Sequence, residues 1–495
     1  MLGCYGLGDG RVGPRARWAR GVSSILTRFY MLYTLFLLQA LLICIIPLAK
    51  VNIVKELTLI IYCFIFIITL SSGSIIETAR GGLSYCEALG FGFNVDLISY
   101  PFLLLTTFLF PFCVIIYWNH HFEDMKGYLL TLTSIHILLL IIFTTTNLFF
   151  FYIAFEGLLI PLFLLIGKWG SAKLESKIIA AFQFFFYTIM GSFFILIGII
   201  YIYYTRGTTD IEILNITKFT INEQIFLFIA FFASFAVKIP MFPFHIWLPS
   251  AHVEAPTAGS VILAGILLKL GIYGFIRFSI PLFPYANTYF YPLIETMAIT
   301  GIIYSSLSTL CQLDLKKVIA YASIAHMNMV VLGLFSQNII SYAGSILMMF
   351  SHGLVSPALF ISIGFLYDRH SSRLIKYYSG LANILPIFSV FFFIFTLANF
   401  SFPFTSSFVA EFLIMLGLWN TSPLATLLAS SSVILSLLYS LWLANRILFG
   451  NLDYTHNVGY NDLVSREFHI LLPLLVLTLF LGLFPNYFLS FLALR

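Results

Sequence analysis

Six titratable side chains interrupt long apolar runs of this sequence. Glu156 lies midway along FYIAFEGLLIPLFLLIGKW, and Lys238 lies in IAFFASFAVKIPMFPFHIW just ahead of a proline break. Lys269 is central in VILAGILLKLGIYGFIRF. His326 sits in VIAYASIAHMNMVVLG, and His352 in ILMMFSHGLVSPALF, where Gly353 and Pro357 are expected to loosen the helix. Glu411 sits in SSFVAEFLIMLGLW, eight residues after Pro403. A charge at the centre of a bilayer costs roughly 3 kcal/mol on insertion scales, so such residues are rare and usually functional. One Glu–Lys pair alone would read as an internal salt bridge. Six groups on six helices exceed what packing needs, and they suit a relay in which each site's protonation is set by its neighbour. Both buried bases are lysine, which can take and release a proton where arginine cannot.

Such groups have to be held by lipid-embedded helices. Of 495 residues, 60% are hydrophobic and 9% charged, against roughly 25% charged in a soluble domain. A membrane-spanning helix needs about 20 mostly apolar residues. Fourteen such stretches follow one another, near 30–49, 56–72, 97–118, 127–146, 147–168, 177–204, 223–244, 257–280, 288–311, 317–336, 340–367, 381–419, 424–448 and 467–492. The twelfth is too long for one straight crossing and contains Pro403, and the seventh ends in Pro240, Pro243 and Pro249. The expected fold is an all-α membrane protein of about 14 transmembrane helices. Interrupted helices at corresponding places in two halves mark an inverted-repeat transporter, so helices 7 and 12 are expected to be the broken members of two inverted five-helix repeats. The expected divisions are an N-terminal extension over 1–29, helices 1–3 over 30–126, a first repeat over 127–280, a second over 281–449, and a loop with helix 14 over 450–495. One half-site then holds Glu156 with Lys238, the other Glu411 with His326 and His352, and Lys269 bridges them.

Basic residues concentrate in the odd-numbered loops. The even-numbered loops and the C-terminus carry only Arg80, Arg206, Lys218, Arg277 and Arg495, which puts the odd loops on the inner side. Residues 1–29 oppose this with Arg11, Arg15, Arg17, Arg20 and Arg28. They read as a disordered extension or a targeting-like segment, and cleavage would remove the conflict. Cys4, Cys44, Cys63, Cys86, Cys113 and Cys311 are scattered, which argues against iron–sulfur clusters, structural zinc and a disulfide framework. Nucleotide-binding motifs are missing, as is a basic cluster for nucleic acid. His120, His121 and Glu123 read as a solvated loop cluster and not as a metal site. Asp314, beside Lys316 and Lys317, reads as a helix cap, and Asp368, Arg369 and Arg373 as a solvated helix end. His136, inside the fourth stretch, either joins the polar line or stands apart from it.

At these residues the chain closely resembles subunit 4 of NADH:ubiquinone oxidoreductase, the respiratory complex I, in its mitochondrial form. The matching stretches are FYIAFEGLLIPLFLLIGKWG, FFASFAVKIPMFPFHIWLPSAHVEAPTAGSVILAGILLKLGIYGF, DLKKVIAYASIAHMNMV, FSHGLVSPALF with LYDRH, and LANFSFPFTSSFVAEFLIM. The resemblance runs from about residue 95 to the C-terminus. It implies an antiporter-like fold of fourteen helices, one of three related proton-pumping subunits in a membrane arm. In that family the glutamate matched by Glu156 pairs with the lysine matched by Lys238, and Lys269 matches the central proton site. His326 and His352 match histidines that connect it to the glutamate matched by Glu411. Sibling subunits and Mrp-type antiporters typically have lysine at the Glu411 position. Three departures stand out: His136 replaces a second membrane glutamate, and Phe404 and Ala410 replace glycines around the twelfth-span break, which implies a stiffer hinge.

The reading that results is a proton-translocating membrane-arm subunit of complex I, an enzyme subunit without redox chemistry of its own. It would work through Glu156, Lys238, Lys269, His326, His352 and Glu411. It is expected to bind no cofactor or metal, with FMN, iron–sulfur clusters and ubiquinone in other subunits. Expected partners are the other membrane-arm subunits, the related antiporter-like ones included, with lipid, water and protons and no nucleic acid, in the mitochondrial inner membrane. One rival is an Mrp-type cation/proton antiporter subunit without redox coupling, against which Glu411 argues. The other is an assembly scaffold whose buried charges only fix packing.

Overall fold

The computed structural model describes residues 14–78, 86–88, 91–119, 124–171, 173–451 and 461–491. Residues 1–13 and the loop cluster His120, His121 and Glu123 lie outside the described residues. A bilayer interior offers the backbone no water, so apolar sequence there must close its hydrogen bonds within helices. Among the described residues, thirteen helices are long and apolar enough to cross a membrane. The first eight, in chain order, are Met31–Leu48, Val51–Gly73, Ser99–Ile116, Met125–Thr144, Leu148–Trp169, Leu174–Arg206, Ile221–Lys238 and Thr257–Leu282. Pro284–Leu310, Leu315–Phe335 and Ile339–His370 follow, and Pro423–Leu448 and Ser465–Leu483 close the series. Two shorter helices, Pro386–Asn399 and Ser406–Thr421, make a broken twelfth span between them, which completes the fourteen expected. The first helix begins at Pro14, inside the segment read as an extension. An antiparallel hairpin, Cys86–Ala88 with Phe91–Phe93, precedes the third span.

The seventh span is broken as expected. Its long part ends at Lys238, and a short helix, Trp247–Glu254, resumes after the prolines. Proline donates no N–H, so the freed carbonyls need other partners: Met241 N donates to Ala236 O (2.9 Å) and Trp247 Nε1 to Val237 O (2.9 Å). In the twelfth-span break, Ser407 Oγ donates to Ala398 O (2.5 Å), and Phe402 N to Leu397 O (3.1 Å). Phe404 there adopts φ +76°, the left-handed region that favours glycine. That is a physical reason for the glycine that the resemblance implies at this place.

The eleventh span corrects the reading of ILMMFSHGLVSPALF. It runs as one helix from Ile339 to His370, and Gly353 and Pro357 do not interrupt it. Gly353 serves close packing. A Cβ there would sit 2.6 Å from Leu105 Cδ2 and 3.4 Å from the Gly265 carbonyl oxygen, while one at Gly265 would sit 2.6 Å from Leu109 Cδ1. The bare backbones let the eighth and eleventh spans approach. Both are wholly enclosed by other helices, and the third and tenth nearly so. The outer helices turn large apolar side chains such as Ile160, Phe186, Met190 and Ile434 outward, as a lipid solvent allows. The eighth span also carries π-helical turns at Leu263–Leu267 and Phe275–Ser279, on either side of the turn that holds Lys269. Such turns are rare and frequently mark functional sites.

Candidate functional site

The close approach at Gly265 and Gly353 sets the central contact. Lys269, wholly buried, places Nζ 2.8 Å from His352 Nδ1 and donates to the Ala264 carbonyl, 2.6 Å away in the first π turn. When Lys269 is an ammonium it can only donate, so His352 Nδ1 then accepts and the ring carries its proton on Nε2. His352 Nε2 has no hydrogen-bond partner. The His326 ring follows, its centroid 5.8 Å from that of His352 and its plane turned by 57°. His326 Nδ1 lies 3.1 Å from Glu411 Oε1, and both side chains are buried. Beyond Glu411 lies a cavity of about 10 Å³, lined by Ser306, Ala325, His326, Met329, Ser432, Ser436 and Tyr439 as well. That volume is close to the minimum that admits one water. Four of the six expected residues therefore form one line across the eighth, eleventh, tenth and twelfth spans.

Glu156 and Lys238 stand apart from that line, and they do not touch. Lys238 is buried, its Nζ lacks a hydrogen-bond partner, and it rests 4.1 Å from the centroid of the Phe155 ring. Such a cation–π contact attracts without neutralising the charge. Glu156, the next residue, is half-buried, and its Oε1 is unpartnered. The two feel each other's charge across this gap, but no ion pair joins them. The Phe155 ring takes the place beside the ammonium. Lys269 does not bridge the half-sites by contact either. Where the seventh and eighth spans meet at Gly271, a Cβ would sit 2.6 Å from Ile239 Cγ1 and 3.0 Å from the Phe235 carbonyl oxygen.

The weaker candidates resolve as follows. Asp314 does cap its helix, accepting from Lys316 N at 2.9 Å. Arg369 and Arg373 are not a solvated helix end. Arg369 grips Glu467 with two hydrogen bonds (2.6 and 3.2 Å), and Arg373 lies 3.9 Å from Glu254 and 3.7 Å from Asp314. Lys316, counted as a loop residue, is buried and donates to the Ala255 carbonyl at 2.8 Å. Charges at span ends are cheap to keep only when paired or solvated, and here they tie the short helix Trp247–Glu254 to the tenth and eleventh spans. On the same side, Lys168 hydrogen-bonds Asp124 and holds its carboxyl below the usual carboxylate range. His136 stands apart from the line, between the rings of Tyr62 (5.0 Å) and Phe110 (4.3 Å), with neither nitrogen hydrogen-bonded.

Sequence reasoning passed over three residues. Glu295 lies within the ninth span and accepts from the Tyr291 hydroxyl at 3.3 Å. Tyr439 lines the cavity beside Glu411. His252 is wholly buried and stacks on Phe360, centroids 4.7 Å apart. Only Glu295 left a signal: a carboxylate inside an apolar helix with a tyrosine four residues earlier, as a hydrogen bond along one face requires.

The transmembrane family model of the NADH:quinone oxidoreductase/Mrp antiporter matches residues 145–438, a stretch that contains all six expected residues. The chain is 48% identical to NADH-ubiquinone oxidoreductase chain 4 of Marchantia polymorpha, over 94% of this chain and 96% of the relative. Its fold matches a chain of respiratory complex I from Thermus thermophilus with a TM-score of 0.83 and 26% identity, over 93% and 97% of the two chains. A chain of the Mrp complex from Dietzia sp. matches at 0.80 with 20% identity over 95% and 96%, which is a likeness of fold alone. With this identity over nearly its whole length, the chain belongs to the chain 4 family of NADH-ubiquinone oxidoreductase, within the NADH:quinone oxidoreductase/Mrp antiporter family.

Proposed function

We propose that this chain is a multi-pass, proton-translocating membrane-arm subunit of NADH:ubiquinone oxidoreductase in the mitochondrial inner membrane. Electron transfer from NADH to ubiquinone, with FMN and the iron–sulfur clusters, belongs to other subunits, and the energy reaches this one through its neighbours in the arm. The observation that carries the reading is the line of titratable side chains, Lys269–His352 and His326–Glu411, enclosed at the centre of the bundle.

In this reading Lys269 gives a proton to His352 Nδ1, and the proton on Nε2 of that ring moves on. The 5.8 Å between ring centres suits one bridging water to His326. His326 then delivers from Nδ1 to Glu411. Glu156 and Lys238 act as the switch. An ammonium that rests on a ring with no hydrogen bond to hold it can shift when the charge on Glu156 changes, and the field at Lys269 shifts with it. The repeats over 127–280 and 281–449 contribute the switch and the outlet respectively.

The rival of an Mrp-type antiporter subunit has only the shared fold in its favour, whereas the close sequence relative is a chain 4. The test is Lys269→Met in the assembled complex, reconstituted in liposomes, with proton uptake followed during NADH oxidation. Pumping is expected to be lost or severely reduced. Full pumping by the assembled variant would leave the scaffold reading in its place.

A further inference from the structure

Glu411 is the last group of the file, and the cavity it faces opens toward another element. Ser306 of the ninth span and Ser432, Ser436 and Tyr439 of the thirteenth line it. Tyr439 is buried, and its hydroxyl has no hydrogen-bond partner. The ninth and thirteenth spans pack together and both begin at even-numbered loops; with the basic odd-numbered loops on the inner side, they run side by side from the outer face inward. Along the thirteenth, Ser422, Thr426, Ala429, Ser432 and Ser436 recur every three or four residues, which places them on one helix face. Thr426, Ala429, Ser432 and Ser436 are buried. From Ser436 to Ser422 the helix rises about 21 Å.

The outer end of this face meets a second polar group. The Tyr291 hydroxyl lies 3.2 Å from Ser422 Oγ and 3.3 Å from Glu295 Oε1. Glu295 is a half-buried carboxylate inside a membrane-spanning helix, and neither the Lys269–Glu411 line nor the Glu156–Lys238 couple uses it. Between this group and the cavity, the facing positions on the thirteenth span carry no side chain larger than threonine.

We propose that protons leave Glu411 for the outer face along the seam between the ninth and thirteenth spans, by way of Tyr439, Ser436 and Ser432, to Glu295 and Tyr291. The proposal rests on the proton-translocation reading above. Only protons move: Glu411 returns to its carboxylate, each hydroxyl accepts one proton as it donates another, water in the seam carries the proton past Ala429 over the roughly 9 Å between Ser432 and Thr426, and Glu295 releases it to bulk water. Ala429 keeps the seam passable, and a larger side chain there closes it.

The test compares Glu295→Gln, Ala429→Leu and Glu411→Gln in the assembled complex, with protons released at the outer face counted per NADH oxidised. Glu295→Gln and Ala429→Leu are expected to lower the count by the same fraction as Glu411→Gln, and Glu295→Asp to restore most of it. Normal counts in Glu295→Gln and Ala429→Leu, with a lowered count in Glu411→Gln, overturn this exit and leave the relay standing. A normal count in Glu411→Gln overturns the relay itself. Should Ala429→Leu fail to assemble, Ser432→Cys supplies an independent reading. Silver ions added to right-side-out vesicles are expected to inhibit that variant beyond the unsubstituted protein, whose exposed Cys44, Cys63 and Cys311 set the background. Inhibition only from the inner side, or none above background, overturns the proposal.

Discussion

Replacing Lys269 with arginine separates proton transfer from charge and packing. Lys269 is wholly buried, held by the Ala264 carbonyl at 2.6 Å and His352 Nδ1 at 2.8 Å. A guanidinium keeps the positive charge and can donate to both partners, so a purely structural role survives the change in large part. Proton release does not. The reference value of an arginine side chain lies at least about 2 units above that of lysine, a gap of roughly 3 kcal/mol. Since each 1.36 kcal/mol is tenfold in rate, transfer from position 269 to His352 is expected to slow about a hundredfold or more. The assay is NADH-driven acidification of liposomes that hold the assembled complex. Assembly is verified on native gels, and Lys269→Met serves as the fully neutral reference. Arginine should assemble better than methionine, because it leaves fewer buried acceptors unpaired, yet pump no better. Pumping by Lys269→Arg at more than about a tenth of the parent rate would refute the reasoning.

Three other expectations follow from the geometry. Phe404→Gly should raise the thermal midpoint of the detergent-solubilised protein by the equivalent of about 1–2 kcal/mol. Phe404 holds φ +76° while its ring is largely exposed, so glycine removes left-handed strain and loses little packing. Arg369→Ala should destabilise the docking of the fourteenth span by about 3–5 kcal/mol, because it leaves the buried Glu467 carboxylate unpaired. Faster proteolysis at the loop before Ser465 would reveal it, and unchanged proteolysis would contradict it. The hydrogen bond from Lys168 depresses the Asp124 carboxyl, so its stabilising contribution is complete above about pH 4 and is lost as pH falls through the depressed value. Asp124→Asn should flatten that acid-side loss in thermal midpoints recorded against pH.

The comparison of sequence with structure turns on the range of the interactions involved. The crossings were legible because each is a local property: about 20 apolar residues must become a helix in lipid whatever surrounds them. The breaks in spans seven and twelve were legible because proline removes a donor wherever it stands. By the same token, Pro357 misled. Its missing N–H weakens one turn, but the eleventh span is enclosed on all sides and stays continuous. Tertiary packing overrode a local signal.

The six candidate residues were named from the cost of placing a titratable group among apolar neighbours, which sequence shows directly. Which of them meet is another matter. Contact between Lys269 and His352 depends on two bare glycines on different helices, Gly265 and Gly353, standing opposite each other. The gap between Glu156 and Lys238 depends on where the Phe155 ring lies. Arg369 and Arg373 look solvated at the end of their own helix and are paired only because the fourteenth span and the short helix Trp247–Glu254 fold against them.

The sequence by itself thus determined that this chain lives in lipid, where it crosses, and which side chains are costly to place there. Tertiary structure alone decided which of those side chains touch, that the line stops short of Lys238, and that Glu411 faces a small cavity lined by hydroxyls. The division has a physical cause. Transfer of a residue into lipid is a property of that residue and its neighbours along the chain, whereas a proton path requires atoms a few ångströms apart that lie tens or hundreds of residues apart in the sequence.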